Sequence, residues 1–161
     1  VQIHGYCNGI VCVIVGKNVL LCNPATREFM QLPDSCLLLP PAEGKFELDT
    51  TFEALGFGYD CKGKEYKVVQ IIENCEYSDD EQTFNHCTAL PHTAEVYTTA
   101  ANSWKEIKID ISSTTYSWSC SVYLKGFCYW YATDDDEYVL SFDLCDETFH
   151  RIPFPSRGES G

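Results

Sequence analysis

Basic residues are scarce in this chain of 161 residues: 11 Lys and Arg stand against 24 Asp and Glu, for a formal charge of −13. Nucleic acid and anionic membrane surfaces are held by clustered cations, so the balance argues against both as partners. No apolar run approaches the roughly 18–20 residues that a helix needs to cross a bilayer, and no basic stretch followed by an apolar one opens the chain. Also missing are a Gly-x-Ser-x-Gly elbow, a P-loop, a His-Glu-x-x-His pair, an EF-hand loop, a Cys-x-x-Cys pair and an Asn-x-Ser/Thr acceptor. These gaps remove the strong signatures of hydrolase, nucleotide, metal, dithiol and glycosylated secreted chemistry. No amphipathic helix of three turns can be traced. The expectation is a non-enzymatic chain with no catalytic residue, no metal and no cofactor.

What the chain does have is a core's worth of apolar side chains, including ten Tyr, nine Phe and three Trp, a bias that suits β-structure. Ten cysteines could suggest a disulfide scaffold, but that reading belongs to small domains without a core. Cys12, Cys22 and Cys128 sit inside apolar runs, where a thiol packs as a small hydrophobe. Reduced thiols in the cytoplasm are therefore expected. A first residue of Val1 and a loop-like close at Pro155 to Gly161 read as one piece of a longer protein.

The negative charge is concentrated. Residues 73–82 carry Glu73, Glu76, Asp79, Asp80 and Glu81, and residues 134–147 carry Asp134, Asp135, Asp136, Glu137, Asp143, Asp146 and Glu147, with no Lys or Arg in either stretch. Acidic loops often do no more than keep a protein soluble. Charge gathered in two places also suits a surface aimed at a basic partner, with Glu73, Glu76, Asp79, Asp80, Glu81 and Asp134, Asp135, Asp136, Glu137 as the candidate partner-binding residues. His86, Cys87 and His92 offer zinc-type ligands, but at no standard structural spacing. Consecutive acids at Asp134 to Glu137 splay apart in a hairpin turn rather than converge on a cation.

Three stretches share one grammar: 20–33, 95–109 and 140–155. In each an alternating apolar run meets a polar turn, an aromatic follows seven positions after an anchor, and an aliphatic follows three later: Cys22, Phe29, Leu32; Tyr97, Trp104, Ile107; Phe142, Phe149, Ile152. The pattern predicts strand, turn, strand, with Phe29, Trp104 and Phe149 as equivalent, buried anchors. Upstream of each lies a Gly followed by an apolar or aromatic run, at Gly9, Gly56 and Gly126. Gly56-Phe57-Gly58 has no helix after it to make a phosphate site, so its glycines are expected to allow close backbone packing.

Each unit then supplies about four short strands. The expected fold is all-β, a propeller-like array of antiparallel four-stranded units at about 5–33, 54–109 with a polar insertion at 73–92, and 118–155, together one incomplete domain over 1–161. A β-sandwich made of the same hairpins is the competing arrangement. Three units fall short of the usual four to eight blades of a closed ring, so edges should be left open.

Gly5-Tyr6-Cys7-Asn8-Gly9-Ile10-Val11-Cys12, then Leu20-Leu21-Cys22-Asn23-Pro24-Ala25-Thr26-Arg27 and Leu32-Pro33, resemble the opening of the F-box-associated, kelch-like domain of plant F-box proteins. Leu55 to Asp60, Tyr66 to Val69, Ala94 to Tyr97, Asn102 to Trp104, Gly126 to Trp130 and Leu140 to Asp143 follow in the order that family shows. The Cys-rich, acidic character and the ending Phe149 to Pro153 look most like the S-locus F-box proteins of pollen. The resemblance implies a substrate receptor of an SCF ubiquitin ligase that captures basic pistil S-ribonucleases in the pollen-tube cytoplasm during gametophytic self-incompatibility. It also implies a Skp1-like adaptor and a cullin, engaged through an F-box that this sequence does not include. A generic F-box-associated or kelch-like domain binding another protein or a glycan is the alternative. A propeller enzyme with its site in a part not present here is the third.

Overall fold

The computed structural model describes residues 1–35, 37, 46–78, 86–89, 92–109, 115–116 and 121–155, with side chains described except at 46–53, 74–78, 86–89 and 115–116. Regular structure among these residues is entirely β-strand. β1 (Gln2–Cys7), β2 (Ile10–Val15), β3 (Asn18–Asn23) and β4 (Glu28–Gln31) form the first antiparallel sheet in sequence order. The second sheet uses β5 (Phe46–Asp60), β6 (Glu65–Ser78), β8 (Thr93–Thr98) and β9 (Ser103–Ile107), with short β7 (His86–Ala89) also paired to β6. The third uses β10 (Thr115–Tyr116) and β11 (Val122–Leu124), both paired to β12 (Phe127–Thr133), and then β13 (Glu137–Asp143) and β14 (Thr148–Pro153). Each sheet is a four-position meander, and in the second and third one position is split between two short strands.

The expected grammar appears directly as strand register. Cys22 lies opposite Phe29, Tyr97 opposite Trp104 and Phe142 opposite Phe149. The rings of the last two pairs approach to 5.6 and 4.7 Å, adding cross-strand contact to the ladder. A fourth hairpin of the same kind, outside the three that spacing singled out, sets Tyr59 opposite Tyr66 with rings 5.0 Å apart. In all four the residue five positions after the anchor is left-handed: Arg27, Lys64, Asn102 and Glu147, with φ between 49° and 59°. Asn23, Asp60 and Asp143 each accept two backbone N–H bonds from the turn on one side-chain oxygen, at 2.8–3.4 Å. This Asx arrangement explains why Asn or Asp opens the turn.

The second sheet lies between the other two. Leu55, Phe57, Val68, Tyr97 and Trp104 pack on Cys7, Cys12, Val19, Leu21 and Leu32 of the first sheet. Residues of opposite parity, Ala54, Val69, Ile71, Ala94 and Val96, pack on Cys128, Trp130, Tyr138, Leu140 and Phe142 of the third. The strands β6 and β8 therefore read as apolar on both faces, as strands covered on two sides should. Gly56 and Gly58 permit this approach: a methyl on Gly56 would lie 2.6 Å from the Trp130 ring, and one on Gly58 would lie 2.2 Å from the Tyr123 ring. Indole and phenol groups fasten the layers, with Trp130 Nε1 donating to Leu55 O at 3.2 Å, Tyr123 OH to Tyr59 O at 3.0 Å and Trp104 Nε1 to Pro33 O at 2.7 Å. β1, β5 and β11 touch one another, so the leading strands converge as they do toward a propeller axis.

Phe29 corrects one expectation. Trp104 is buried and Phe149 half-buried, but Phe29 is 72% exposed. The pair Tyr97 and Trp104 faces the preceding first sheet, and Phe142 and Phe149 face the preceding second sheet. Cys22 and Phe29 occupy the same position in the first sheet, and among the described residues no sheet precedes it. Burial here depends on a neighbour rather than on the strand itself.

Candidate functional site

The acidic stretch 134–147 does not form one surface. β13 runs between its two halves and carries them to opposite ends of the third sheet. Asp134, Asp135 and Asp136 form the β12–β13 turn and Glu137 opens β13, all exposed. Asp143 caps its own hairpin turn. Glu147 is drawn into a buried network in which Lys67 Nζ lies 3.0 Å from Asp60 and 3.2 Å from Glu147, and Lys105 reaches the other Glu147 oxygen at 2.5 Å. Lys67 also donates to the Leu144 carbonyl at 2.7 Å. Burial pushes the Asp60 and Glu147 carboxyls up, but the Gly63 amide and Lys67 at Asp60, and Lys105 and Lys67 at Glu147, hold both below their ordinary values. Such a network ties the β5–β6 and β13–β14 turns together and leaves these acids unavailable to a partner.

The turn itself is partly neutralised. Arg151 grips Asp134 with two nitrogens at 2.5 and 3.0 Å while its guanidinium stacks 3.9 Å from the centre of the Tyr138 ring. That hydrogen-bonded arginine keeps the Asp134 carboxyl below its usual range. Tyr131 OH donates to Glu137 at 2.6 Å. Asp135 and Asp136 are exposed and make no ion pair among the described residues.

The other stretch also differs from its expected form. The insertion foreseen at 73–92 begins as regular strand: Glu73 and Glu76 belong to β6, opposite Thr51 and Leu48 of β5, and His86 and Cys87 belong to β7. Asp79, Asp80 and Glu81 lie outside the described residues. Gly58 meets Leu144 and Tyr123, and Gly56 meets Cys128 and Trp130, so β12 climbs beside β5 in the opposite sense. The register carries the 134–136 turn to the end of the two sheets where Glu73 and Thr51 pair. Glu73 and the 134–137 turn therefore share one end of the molecule.

At that same end is a feature the residue patterns left unmarked. A cavity of about 210 Å³ opens between the first two sheets, walled by Val19, Leu32 and Trp104, floored by Gln70 and rimmed by Lys17 and Asp34. Behind the floor Gln70 donates its amide to Glu95, and both side chains are buried, at 1% and 0% exposure. Burial raises the Glu95 carboxyl, against lowering by Ser35 and Gln70. The available signal was parity: Glu95 shares the inward face of β8 with Tyr97, where an apolar residue belongs.

Among the described residues Cys7, Cys12, Cys22, Cys61, Cys128 and Cys145 are free thiols. Cys12 and Cys128 are fully buried and Cys22 half-buried. Burial drives the Cys12 thiol up to about 12 and Cys128 higher still, so neither is a nucleophile near neutral pH. No three His, Cys, Asp or Glu gather as a metal set among the described residues, and no helix there is long and apolar enough to cross a membrane.

The family model described as the F-box associated beta propeller domain matches residues 1–160. F-box/LRR-repeat/kelch-repeat protein At1g09650 of Arabidopsis thaliana is 29% identical over 151 residues, covering 91% of this chain and 37% of that protein. F-box protein At1g11270 is 28% identical over 150 residues, 91% of this chain and 45% of its own, and F-box protein CPR1 is 27% identical over 176 residues, 99% and 41% respectively, both also from Arabidopsis thaliana. The chain thus spans less than half the length of these relatives. No solved structure matches it. Repeated four-position meanders, leading strands that converge and a family match along nearly the whole chain agree, and the chain belongs to the F-box associated beta propeller domain family.

Proposed function

We propose that this chain is the substrate-recognition part of an SCF-type ubiquitin ligase receptor, whose F-box elsewhere in the protein engages a Skp1-like adaptor and a cullin. Its substrate is a basic secreted-type ribonuclease, the pistil S-ribonuclease of gametophytic self-incompatibility, met in the pollen-tube cytoplasm. The observation that supports this most is electrostatic: a net charge of −13, with exposed Asp135 and Asp136 at the same end as Glu73. Together with Glu76, Asp79, Asp80, Glu81, Asp134 and Glu137 these acids make up the partner-facing group. Opposed charge steers encounter and raises association rate more than final affinity. Its reach is limited by a Debye length of about 8 Å at 0.15 M salt.

Stopped-flow capture of a panel of basic ribonucleases by the full-length receptor, across a salt series, tests the reading. Reversing Asp79, Asp80, Glu81, Asp135 and Asp136 to Lys should slow association and flatten its salt dependence. Wild-type rates and salt slope in that variant would assign the charge to solubility and recognition to another surface.

A further inference from the structure

The first sheet is apolar on both sides. One side packs on the second sheet through Cys7, Cys12, Val19, Leu21 and Leu32. On the other side the register lines up two rungs across all four strands, Tyr6, Val11, Cys22 and Phe29 in one and Ile3, Val13, Leu20 and Gln31 in the next. Every position but Gln31 is apolar, yet Phe29, Tyr6 and Ile3 are 72%, 66% and 62% exposed. β2 reads Ile-Val-Cys-Val-Ile-Val, the unbroken apolar run of a strand covered on two faces, as β6 and β8 are. A contiguous apolar face of this kind marks a contact surface.

The two interfaces between the sheets show what covers such a face. In both, every aromatic ring of the packed cluster comes from a later sheet: Phe57, Tyr97 and Trp104 against the first sheet, and Trp130, Tyr138 and Phe142 against the second. The earlier sheet gives only aliphatic and thiol side chains to each cluster. Cys22 and Phe29 hold the place of Tyr97 and Trp104, so Phe29 and Tyr6 call for an aromatic-free face in front of them. The far face of the third sheet is of another kind, since Phe127, Tyr129 and Tyr131 alternate with the inward Cys128, Trp130 and Ala132. A second copy of this chain offering that face would set ring against ring. The relatives supply another source: the chain spans 37%, 45% and 41% of three of them, which leaves more than half of each for further sheets.

We propose that the outer face of the first sheet is covered by a further β-sheet of the same protein, formed by sequence outside these 161 residues. That sheet presents aliphatic, thiol and glycine positions to Phe29 and Tyr6 and buries the rings as Trp104 is buried in the next interface. The first sheet then becomes an internal layer, and its apolar face is closed to any substrate. The inference holds whichever substrate the receptor takes.

The full-length protein tests this directly. With p-benzoylphenylalanine in place of Phe29, photoactivation should give an intramolecular crosslink to a peptide outside the 161 residues, read by mass spectrometry. Residues at alternate positions around the adduct should be aliphatic, Cys or Gly. Crosslinking to a second copy, to this stretch itself or to nothing would overturn the proposal. Native alkylation reads the same face without a variant, because Cys22 lies opposite Phe29. Cys22 should react about tenfold or more slowly than exposed Cys61 in the same wild-type molecules. A smaller difference would overturn the proposal even where the photoprobe disturbs folding.

Discussion

The two ends of the molecule are built on different principles. At one end every described turn is short and locally determined: Asn8-Gly9, Arg27, Lys64, Asn102, Lys125-Gly126 and Glu147 all place left-handed residues there. At the other end, among the described turns, Gly16 alone has positive φ, and the connections from β4 to β5, β6 to β8 and β9 to β11 are long. The first end is stitched by Asx caps and by the Lys67 network. The second holds Glu73, the 134–137 turn and the cavity beside Gln70. The first end is secured mainly by its own turns, while the second is held by side chains that reach between strands, such as Arg151 to Asp134 and Tyr131 to Glu137.

The strongest way to break this contrast is to attack the network. Lys67→Met leaves Asp60 and Glu147 buried without their shared cation and should cost about 3–5 kcal/mol in urea unfolding. The same network predicts acid sensitivity. Asp60 and Glu147 are held below their ordinary values, so their contribution is complete above the unfolded carboxylate pKa of about 4 and disappears as pH falls through the lower folded values. The Lys67 ammonium is raised overall, its own burial being outweighed by Asp60 and Glu147. Its contribution holds below the unfolded lysine pKa of about 10.4 and is lost only as pH rises through the folded value. Stability curves from pH 2 to 6 should be steep in the wild type and flatter in Lys67→Met.

Next in size is Gly58→Ala, whose new methyl would overlap Tyr123 and Leu144 and should cost about 1–3 kcal/mol by thermal denaturation. Asn23→Ala removes one Asx cap at the stitched end and should cost about 0.5–1.5 kcal/mol. The smallest effect sharpens the comparison from the other side: Asp135→Lys with Asp136→Lys should leave stability within about 0.5 kcal/mol, because both acids are exposed and without an ion pair. A loss of several kcal/mol there would mean that this turn also carries structural load.

What sequence alone determined is what depends on neighbours along the chain. The seven-residue interval became a hairpin register, because a turn of fixed length, opened by Asn23, Thr98 or Asp143, fixes which residues face each other. Glycines flanking Phe57 announced close packing for the same local reason. The Tyr59 to Tyr66 hairpin obeys the same interval, with Val69 three positions later, and its turn opens with Asp60 as the third repeat's opens with Asp143. Tertiary structure decided everything that depends on which sheet lies across a face. Phe29 and Trp104 obey one pattern, yet among the described residues only Trp104 has a sheet in front of it. Asp134 and Glu147 are near in sequence, yet β13 separates them by its full length, giving one to Arg151 and the other to Lys67. Glu95 is an acid inside an apolar strand, and its burial with Gln70 appears only when the first sheet closes over both, because burial and pairing are properties of packed surfaces rather than of a chain's order.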